Sequence, residues 1–424
     1  MSTLLALTVG GSCAPVITAI RDYQPDFVYF IVSGGDRGSR KTVDGTGNPC
    51  GDPRKAKCPD CGKDVPLGDP KGVNILAQTG LTEGQYEILE LPEPDDLSGC
   101  YAQLRSALMQ LKEAHSDWRF LADYTGGTKT MTAALTLAAL EAGYEFSLVK
   151  GTRADLVKVR NGTEMAALVN VGEVRARQQM DEAQRLFNRY AYASAAEILQ
   201  NTLRAVFLPP ELQREITERV GLCRAFDAWD RFDHSQARVL LETHKKQFET
   251  LWKFLKLISG AKPGYAPVLD LLCNAERRAV RGRYDDAVAR LYRALEMLAQ
   301  IRLEQRPERL ISGNLNPTLL PEILQAKYEA LREQGEKGKV KLGLRQDYEL
   351  LAELADPLGN VYQEYSKRLL QALNYRNESI LAHGQTPIAR DRWLEMYQAS
   401  ADFIQAGLQA VNVRLDAPQF PQWQ

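Results

Sequence analysis

The 424-residue sequence has almost no net charge, few histidines and no long hydrophobic run. A formal net charge of -1 argues against a chain that binds polyanions over its whole surface, so any nucleic-acid site must be local. No apolar run approaches the roughly 18 residues of a membrane-spanning helix, and the first residues, MSTLLALTVGGS, lack the basic start and cleavage site of a signal peptide. We therefore expect a cytoplasmic protein without a membrane partner.

Cysteine is sparse and irregularly placed. Seven cysteines, an odd number scattered over a long chain, favour a reducing compartment over a disulfide framework.

The N-terminal part alternates short apolar runs with helical patterns. Runs typical of buried strands occupy residues 3–9, 27–33, 86–91, 118–124 and 144–149. Two more runs, 156–160 and 165–170, flank Asn161-Gly162 and predict a hairpin. The alternation predicts an α/β Rossmann-like domain, a parallel sheet with helices on both faces.

Beyond about residue 174 the strand pattern ends. Apolar residues recur there at spacings of three and four, broken by Pro209-Pro210, Pro263-Gly264 and a Gly/Lys-rich stretch at 335–343. This predicts an all-α C-terminal half. We place an N-terminal domain at 1–173, a helical connecting region at 174–262 and a C-terminal helical domain at 263–424.

Two glycine-containing loops follow predicted strands. GGS (10–12) follows the first strand and TGGTK (125–129) follows the fourth. Ligands of doubly wound sheets bind outside the carboxyl ends of the strands, where helix N-termini present free N–H groups, so both loops are expected to face one cleft. Neither loop fits the phosphate-loop or dinucleotide-binding motif, which disfavours ATP hydrolysis and NAD binding. The alternative is that the glycines only form tight turns.

The strand ending in DYTGGTK, together with TVGGS, resembles the CRISPR-associated Rossmann fold (CARF) sensor domain, which binds cyclic oligoadenylates. The resemblance implies a homodimer in which these loops contact the phosphates and riboses of the ring on a twofold axis. It implies cyclic tetra-adenylate as the activator, with cyclic hexa-adenylate as the alternative. The ligand-binding candidates are Gly10, Gly11, Ser12, Thr125, Gly126, Gly127, Thr128 and Lys129.

The segment NYRNESILAHG (374–384) resembles the Arg, four to six residues, His motif of HEPN nucleases. Arg376 and His383 are seven positions apart, a rotation of about 700° that returns to the same helix face. Arg238 and His244 also match the loose motif, but their spacing of six, about 600°, turns the side chains apart. Asn377 beside Arg376 fits the family motif as well.

Together the two resemblances identify the chain as similar to the CARF/HEPN ribonucleases of type III CRISPR systems. They imply an endoribonuclease that cuts single-stranded RNA without a metal cofactor, because the RNA 2'-hydroxyl can attack the adjacent phosphorus. His383 would hold or move the proton, and Arg376 would stabilise charge on the phosphoryl oxygens. Two protomers would pool their motifs in one site.

Other interpretations stay open. His383 can be a capping residue at a helix end with Arg376 an ordinary surface arginine. The helical half can be a docking scaffold without catalysis, controlled by the same sensor. The sensor itself can degrade the ring, with Ser12 and Thr128 orienting a ribose 2'-hydroxyl.

An insertion at about 36–72 carries a cysteine motif and few apolar residues. Cys58-Pro-Asp-Cys61-Gly resembles a zinc knuckle, and Cys50 supplies a third ligand for a structural zinc. The fourth ligand is left open between Cys13, Cys100, an acidic residue and a partner chain. The alternative is a loop with reduced thiols.

Overall fold

The computed structural model of the protein describes residues 1–52, 55–57, 61–66, 71–151, 164–205, 208–332, 339–377 and 385–423. By their contacts these residues form two units, Met1–Arg175 and Ala176–Gln424.

The first unit alternates strands and helices. Its elements are β1 (Thr3–Thr8), α1 (Ala14–Tyr23), β2 (Phe27–Ser33), α2 (Arg40–Asp44), β3 (Lys55–Lys57), β4 (Asp64–Pro66), α3 (Ile75–Thr79), β5 (Tyr86–Leu91), α4 (Leu97–Ala114), β6 (Arg119–Asp123), α5 (Lys129–Ala142), β7 (Glu145–Lys150) and β8 (Met165–Val169).

The main sheet of the described residues has the strand order β5-β2-β1-β6-β7-β8. All neighbouring strands are parallel except β8, which runs antiparallel to β7. The predicted Rossmann-like class is therefore confirmed. The sequence placed a strand at 156–160 beside 165–170; residues 156–160 lie outside the described part of the chain, and 165–169 pairs with β7. In the insertion, β3 and β4 form a separate antiparallel pair.

Both faces of the sheet are covered. One face packs against α4 and α5 through residues such as Leu4 and Ala6, and the other against α1, α2 and α3 through Leu5 and Leu7. β1 reads as a continuous apolar run because each of its faces meets helices, as expected for a buried parallel strand.

The second unit is helical where it is described. Its helices are α6 (Gly172–Asn188), which begins in the first unit, α7 (Tyr192–Ala205), α8 (Pro210–Asp230), α9 (His234–Leu241), α10 (Glu249–Ile258), α11 (Ala266–Val280), α12 (Tyr284–Gln305), α13 (Glu322–Glu329), α14 (Leu344–Glu353), α15 (Pro357–Asn377) and α16 (Arg390–Ala410). Among the residues described, no helix is both long enough and apolar enough to span a membrane.

A buried ionic network joins α8 to α11. The Asp230 carboxylate accepts hydrogen bonds from Arg277 Nε at 2.8 Å, from an Arg278 guanidinium nitrogen at 2.7 Å and from Asn274 Nδ2 at 2.9 Å. Because the Asp230 charge is buried with charged partners and further donors, it is compensated rather than left isolated. The network therefore fixes the two helices relative to one another.

Candidate ligand and nuclease sites

The two glycine loops meet at the point where the sheet changes direction. The chain runs outward from β1 to β2 and β5, then returns to β6 on the other side of β1. The loops after β1 and β6 therefore leave adjacent strands at the same sheet edge. They come so close that a Cβ atom on Gly10 would lie 3.0 Å from the Gly127 nitrogen. This is the topological switch point, where doubly wound folds bind ligands.

The Gly126 carbonyl is held down by two hydroxyl groups. It accepts a hydrogen bond from Thr8 Oγ1 at 2.6 Å and another from Thr132 Oγ1 at 2.9 Å. A Cβ on Gly126 would lie only 2.3 Å from the Thr8 carbonyl oxygen, and Gly127 has a φ of +85°. Glycine is thus required at both positions, for close approach at the first and for a left-handed backbone at the second.

A buried carboxylate fixes the start of the same turn. Asp123, at the end of β6, accepts hydrogen bonds from the Thr125 backbone N–H at 3.0 Å and from Ser147 Oγ at 2.7 Å. Burial raises the pKa of the Asp123 carboxyl. Thr125 Oγ1 in turn accepts from the Val149 N–H at 2.8 Å, so this hydroxyl is engaged with the sheet.

The turn ends as the N-terminus of α5. Thr128 caps this helix: its Oγ1 accepts from the Met131 N–H at 3.1 Å and donates to the Pro94 carbonyl at 3.0 Å. The first N–H groups of a helix have no intrahelical partner, and they attract anions together with the helix dipole. Lys129, exposed at the first helical position, adds a positive charge.

On the facing loop, Gly11 and Ser12 are exposed and Gly10 is half-buried. Cβ atoms added to Gly11 would meet nothing within 4 Å. The structure thus brings the predicted residues of both loops to one edge of the sheet, with backbone N–H groups, a hydroxyl and an ammonium group available to a phosphate-bearing ligand.

Sequence reasoning missed three residues that support this site. Thr8 and Thr132 hold the Gly126 carbonyl and Asp123 holds the Thr125 N–H, and none of the three was among the predicted site residues, although Thr8 and Asp123 begin the quoted TVGGS and DYTGGTK stretches. Two signals were present: Asp123 lies two positions before Thr125, and threonines stand at the end of β1 and in the first turn of α5.

The structure corrects the predicted zinc site. Cys50 forms a disulfide with Cys13, with 5.6 Å between their Cα atoms. Neither sulfur is then a thiolate that can bind zinc. Cys61 is exposed, Cys58 lies outside the described residues, and no cluster of three or more potential metal-ligating side chains exists in the part of the chain that the structure describes. The expectation that these two cysteines are reduced thiols is also wrong for this structure.

The structure describes only the first residues of the candidate nuclease motif, in α15. The helix is described up to Asn377, so Arg376 and Asn377 lie in its last described turn. His383 lies outside the described residues, and its placement relative to Arg376 stays a prediction. The competing pair does not share one α-helix: Arg238 belongs to α9, and His244 to a short 3-10 turn, Glu242–His244.

The start of α15 is fixed by a buried carboxylate. The Asp356 side chain is 0% exposed and accepts a hydrogen bond from the Leu358 N–H at 3.0 Å. It also forms ion pairs with Arg302, in the last turn of α12, at 3.0 Å and with Arg306, which directly follows α12, at 2.9 Å. Beyond the motif, the Ile388 N–H donates to Asp285 of α12 at 3.1 Å. Both flanks of the motif are therefore attached to α12 or its continuation.

The comparisons with known proteins agree with this architecture. A family profile for the Csm6 6H domain matches residues 176–253, and one for the Csm6 HEPN domain matches residues 258–406. No curated protein sequence matches the chain.

Among solved structures the chain is similar to Enterococcus italicus Csm6 bound to cyclic hexa-2'-fluoro-hexa-dAMP. The TM-score is 0.56 with 14% identity, covering 96% of this chain and 95% of that chain. A second structure, Can2 from Sulfobacillus thermosulfidooxidans in complex with cyclic tetra-adenylate, has 12% identity over 58% of this chain and 68% of that chain, and its TM-score of 0.25 is too low to bear on the fold. With two adjoining Csm6 profiles on the helical unit and a Csm6-like fold along nearly its whole length, the chain belongs to the CARF/HEPN ribonuclease family associated with type III CRISPR systems.

Proposed function

We propose that this protein is an endoribonuclease that a cyclic oligoadenylate activates and that cuts single-stranded RNA in antiviral defence. The observation that carries the proposal is the match of the HEPN profile to residues 258–406, which include Arg376, Asn377 and His383. The two loops at the switch point of the sheet support the sensing half of the proposal, because their geometry suits phosphate groups.

In this proposal the ring lies on the twofold axis of a homodimer. The N-terminus of α5 supplies backbone N–H groups to phosphate oxygens, and Lys129 supplies charge. Residues 10–12 close the other side of the cleft. We assign residues 1–173 to the sensor, 174–262 to the connecting helices and 263–424 to the nuclease domain.

The proposed cleavage uses the RNA 2'-hydroxyl as nucleophile and leaves a 2',3'-cyclic phosphate and a 5'-hydroxyl. His383 of each protomer holds or moves a proton, and Arg376 stabilises the charge that develops on the phosphoryl oxygens. Asn377, next to Arg376, is the third residue that we assign to the motif. Because the nucleophile belongs to the substrate, the proposed chemistry needs no metal.

An RNase assay tests the proposal directly. Fluorescent single-stranded RNA is incubated with the full chain and either cyclic tetra-adenylate or cyclic hexa-adenylate, in the presence of EDTA. Ring-dependent cleavage that persists in EDTA is expected, with cyclic tetra-adenylate as the more effective ring. Since the E. italicus relative was solved with a six-membered analogue, both rings are needed.

Matched histidine variants separate the site from its competitor. We expect His383→Ala to abolish cleavage and to leave ring binding intact, whereas His244→Ala should cleave normally. Retained cleavage by His383→Ala refutes the site assignment. Ring binding without cleavage by the wild type favours the docking-scaffold alternative.

Ring degradation by the sensor has less support. Thr128 Oγ1 already donates its proton to the Pro94 carbonyl and accepts from Met131, which leaves it little capacity to orient a ribose hydroxyl. Ser12 remains exposed and available. Disappearance of the ring on incubation with the His383→Ala protein would establish this activity.

A further inference from the structure

A disulfide bond begins immediately after one of the two proposed ligand loops. Cys13 is the N-cap residue of α1 and immediately follows the Gly10–Ser12 loop. Its disulfide partner, Cys50, lies 37 positions away in the insertion. The bond therefore ties the ligand loop to a segment that the sheet pattern alone would leave separate.

The insertion end of this bond is firmly attached. The Cys50 N–H donates to the Gly72 carbonyl at 3.1 Å, and the backbones are so close that a Cβ on Gly72 would lie 2.7 Å from the Cys50 carbonyl oxygen. The preceding α2 is held to the end of β2, where the Ser33 N–H donates to Ser39 Oγ at 2.9 Å. Because Cys50 is held in place in this way, its bond to Cys13 restrains the Gly10–Ser12 loop.

The loop has few other restraints. Gly11 and Ser12 are exposed, and the glycines carry no side chain that packs. Glycine loses more backbone freedom on ordering than any other residue. Closing the disulfide removes part of this freedom before a ligand arrives, so a closed bond prepares the loop for binding.

We propose that the Cys13–Cys50 disulfide is a redox-controlled latch: closed, it preorganises the Gly10–Ser12 loop and raises affinity for the ring; open, it lowers that affinity. The inference rests on the proposed function, since the ring is the ligand considered. Disulfides in reducing compartments are usually transient and often redox-sensing, which agrees with a switch rather than a permanent staple.

Access and leaving-group chemistry favour attack at Cys50. Cys13 is 5% exposed, whereas Cys50 is half-buried. A thiolate of a dithiol reductant bonds to Cys50 Sγ, the Sγ–Sγ bond breaks, and Cys13 leaves as a thiolate at the N-terminus of α1, where the helix dipole stabilises an anion. The second thiol of the reductant then displaces Cys50. Both cysteines end as thiols after protonation, and the reductant is oxidised to its disulfide.

The test measures ring affinity in two redox states of the full chain. Protein is prepared with a mild oxidant or with excess dithiothreitol, and the state of Cys13 and Cys50 is read by alkylation and mass spectrometry. Binding of cyclic tetra-adenylate and of cyclic hexa-adenylate is then measured by calorimetry. We expect reduction to weaken binding about tenfold, which corresponds to about 1.4 kcal/mol.

Cysteine variants provide the controls. Cys13→Ser and Cys50→Ser break the same bond from opposite ends, so both should bind like the reduced protein and lose their response to dithiothreitol. Cys273→Ser, a half-buried thiol in α11, should respond like the wild type.

The possible outcomes distinguish a failure of the latch from a failure of the proposed function. Equal affinity in the two states, or alkylation of both cysteines after oxidation, overturns the latch while leaving the ring-activated nuclease standing. Binding of neither ring in either state overturns both proposals.

Discussion

Replacing Gly126 by alanine tests whether the contact between the two loops builds the proposed ligand cleft. An added Cβ would lie 2.3 Å from the Thr8 carbonyl oxygen, 0.7 Å inside the 3.0 Å limit of real Cβ contacts. Thr8 ends β1, which is hydrogen-bonded to β2 and β6 on its two sides, so the strand has little freedom to move. The turn must move instead.

Movement of the turn weakens the hydrogen bond from Thr8 Oγ1 to the Gly126 carbonyl, now 2.6 Å. Overpacking typically costs about 1–3 kcal/mol and a lost neutral hydrogen bond about 1 kcal/mol, so we expect a loss of about 2–4 kcal/mol in unfolding free energy. The N-terminus of α5 shifts with the turn. Losing one charge-assisted bond to phosphate, about 1.5–3 kcal/mol, weakens ring binding by at least tenfold.

Chemical denaturation followed by circular dichroism measures the first effect, and calorimetry with cyclic tetra-adenylate measures the second. Gly11→Ala is the matched control for stability, because a Cβ there meets no atom within 4 Å. An unchanged denaturation midpoint for Gly126→Ala, or equal losses for both variants, would refute the proposed packing of the turn.

Substitutions at three further positions provide additional tests. Thr8→Val removes the hydroxyl that holds the Gly126 carbonyl and should cost about 1 kcal/mol in denaturation experiments, whereas Thr8→Ser should cost less because it keeps the hydroxyl. Burial raises the pKa of Asp347 from 3.8 to about 7, so its stabilising contribution is present below about pH 4 and is lost as the pH rises through 7. Asp347→Asn should therefore increase the unfolding free energy at pH 8, by about 4 kcal/mol, and change it little at pH 4; equal effects at both pH values would contradict this. Trp423→Ala removes a ring stacked on Phe187 with centroids 3.8 Å apart and should lower the unfolding free energy by about 2 kcal/mol. Trp423→Phe should restore most of this loss. A loss of under about 0.5 kcal/mol in Trp423→Ala would mean that the C-terminal segment does not hold α6.

Periodicity in the sequence accounts for most of the fold. The continuous apolar runs at 3–9 and 27–33 predicted strands buried on both faces, and the structure contains them as β1 and β2. Glycine-containing turns after strands predicted where the two candidate ligand loops begin, since such turns follow parallel strands at one sheet edge. The nuclease motif is a different case: Arg376 lies in a helix, but His383 falls outside the described residues, so its position and its role stay predictions.

The amino-acid sequence by itself thus determined the two-part fold class and the family resemblance, because local patterns of burial and short motifs are written along the chain. Only the tertiary structure decided which distant groups meet: Thr8 with Gly126, Cys13 with Cys50, and Phe187 with Trp423. Periodicity reports which face of an element is buried, and it carries no information on which remote residue covers that face. For the same reason the cysteine pattern indicated Cys50 as a zinc ligand, whereas in the folded protein Cys50 is bonded to Cys13.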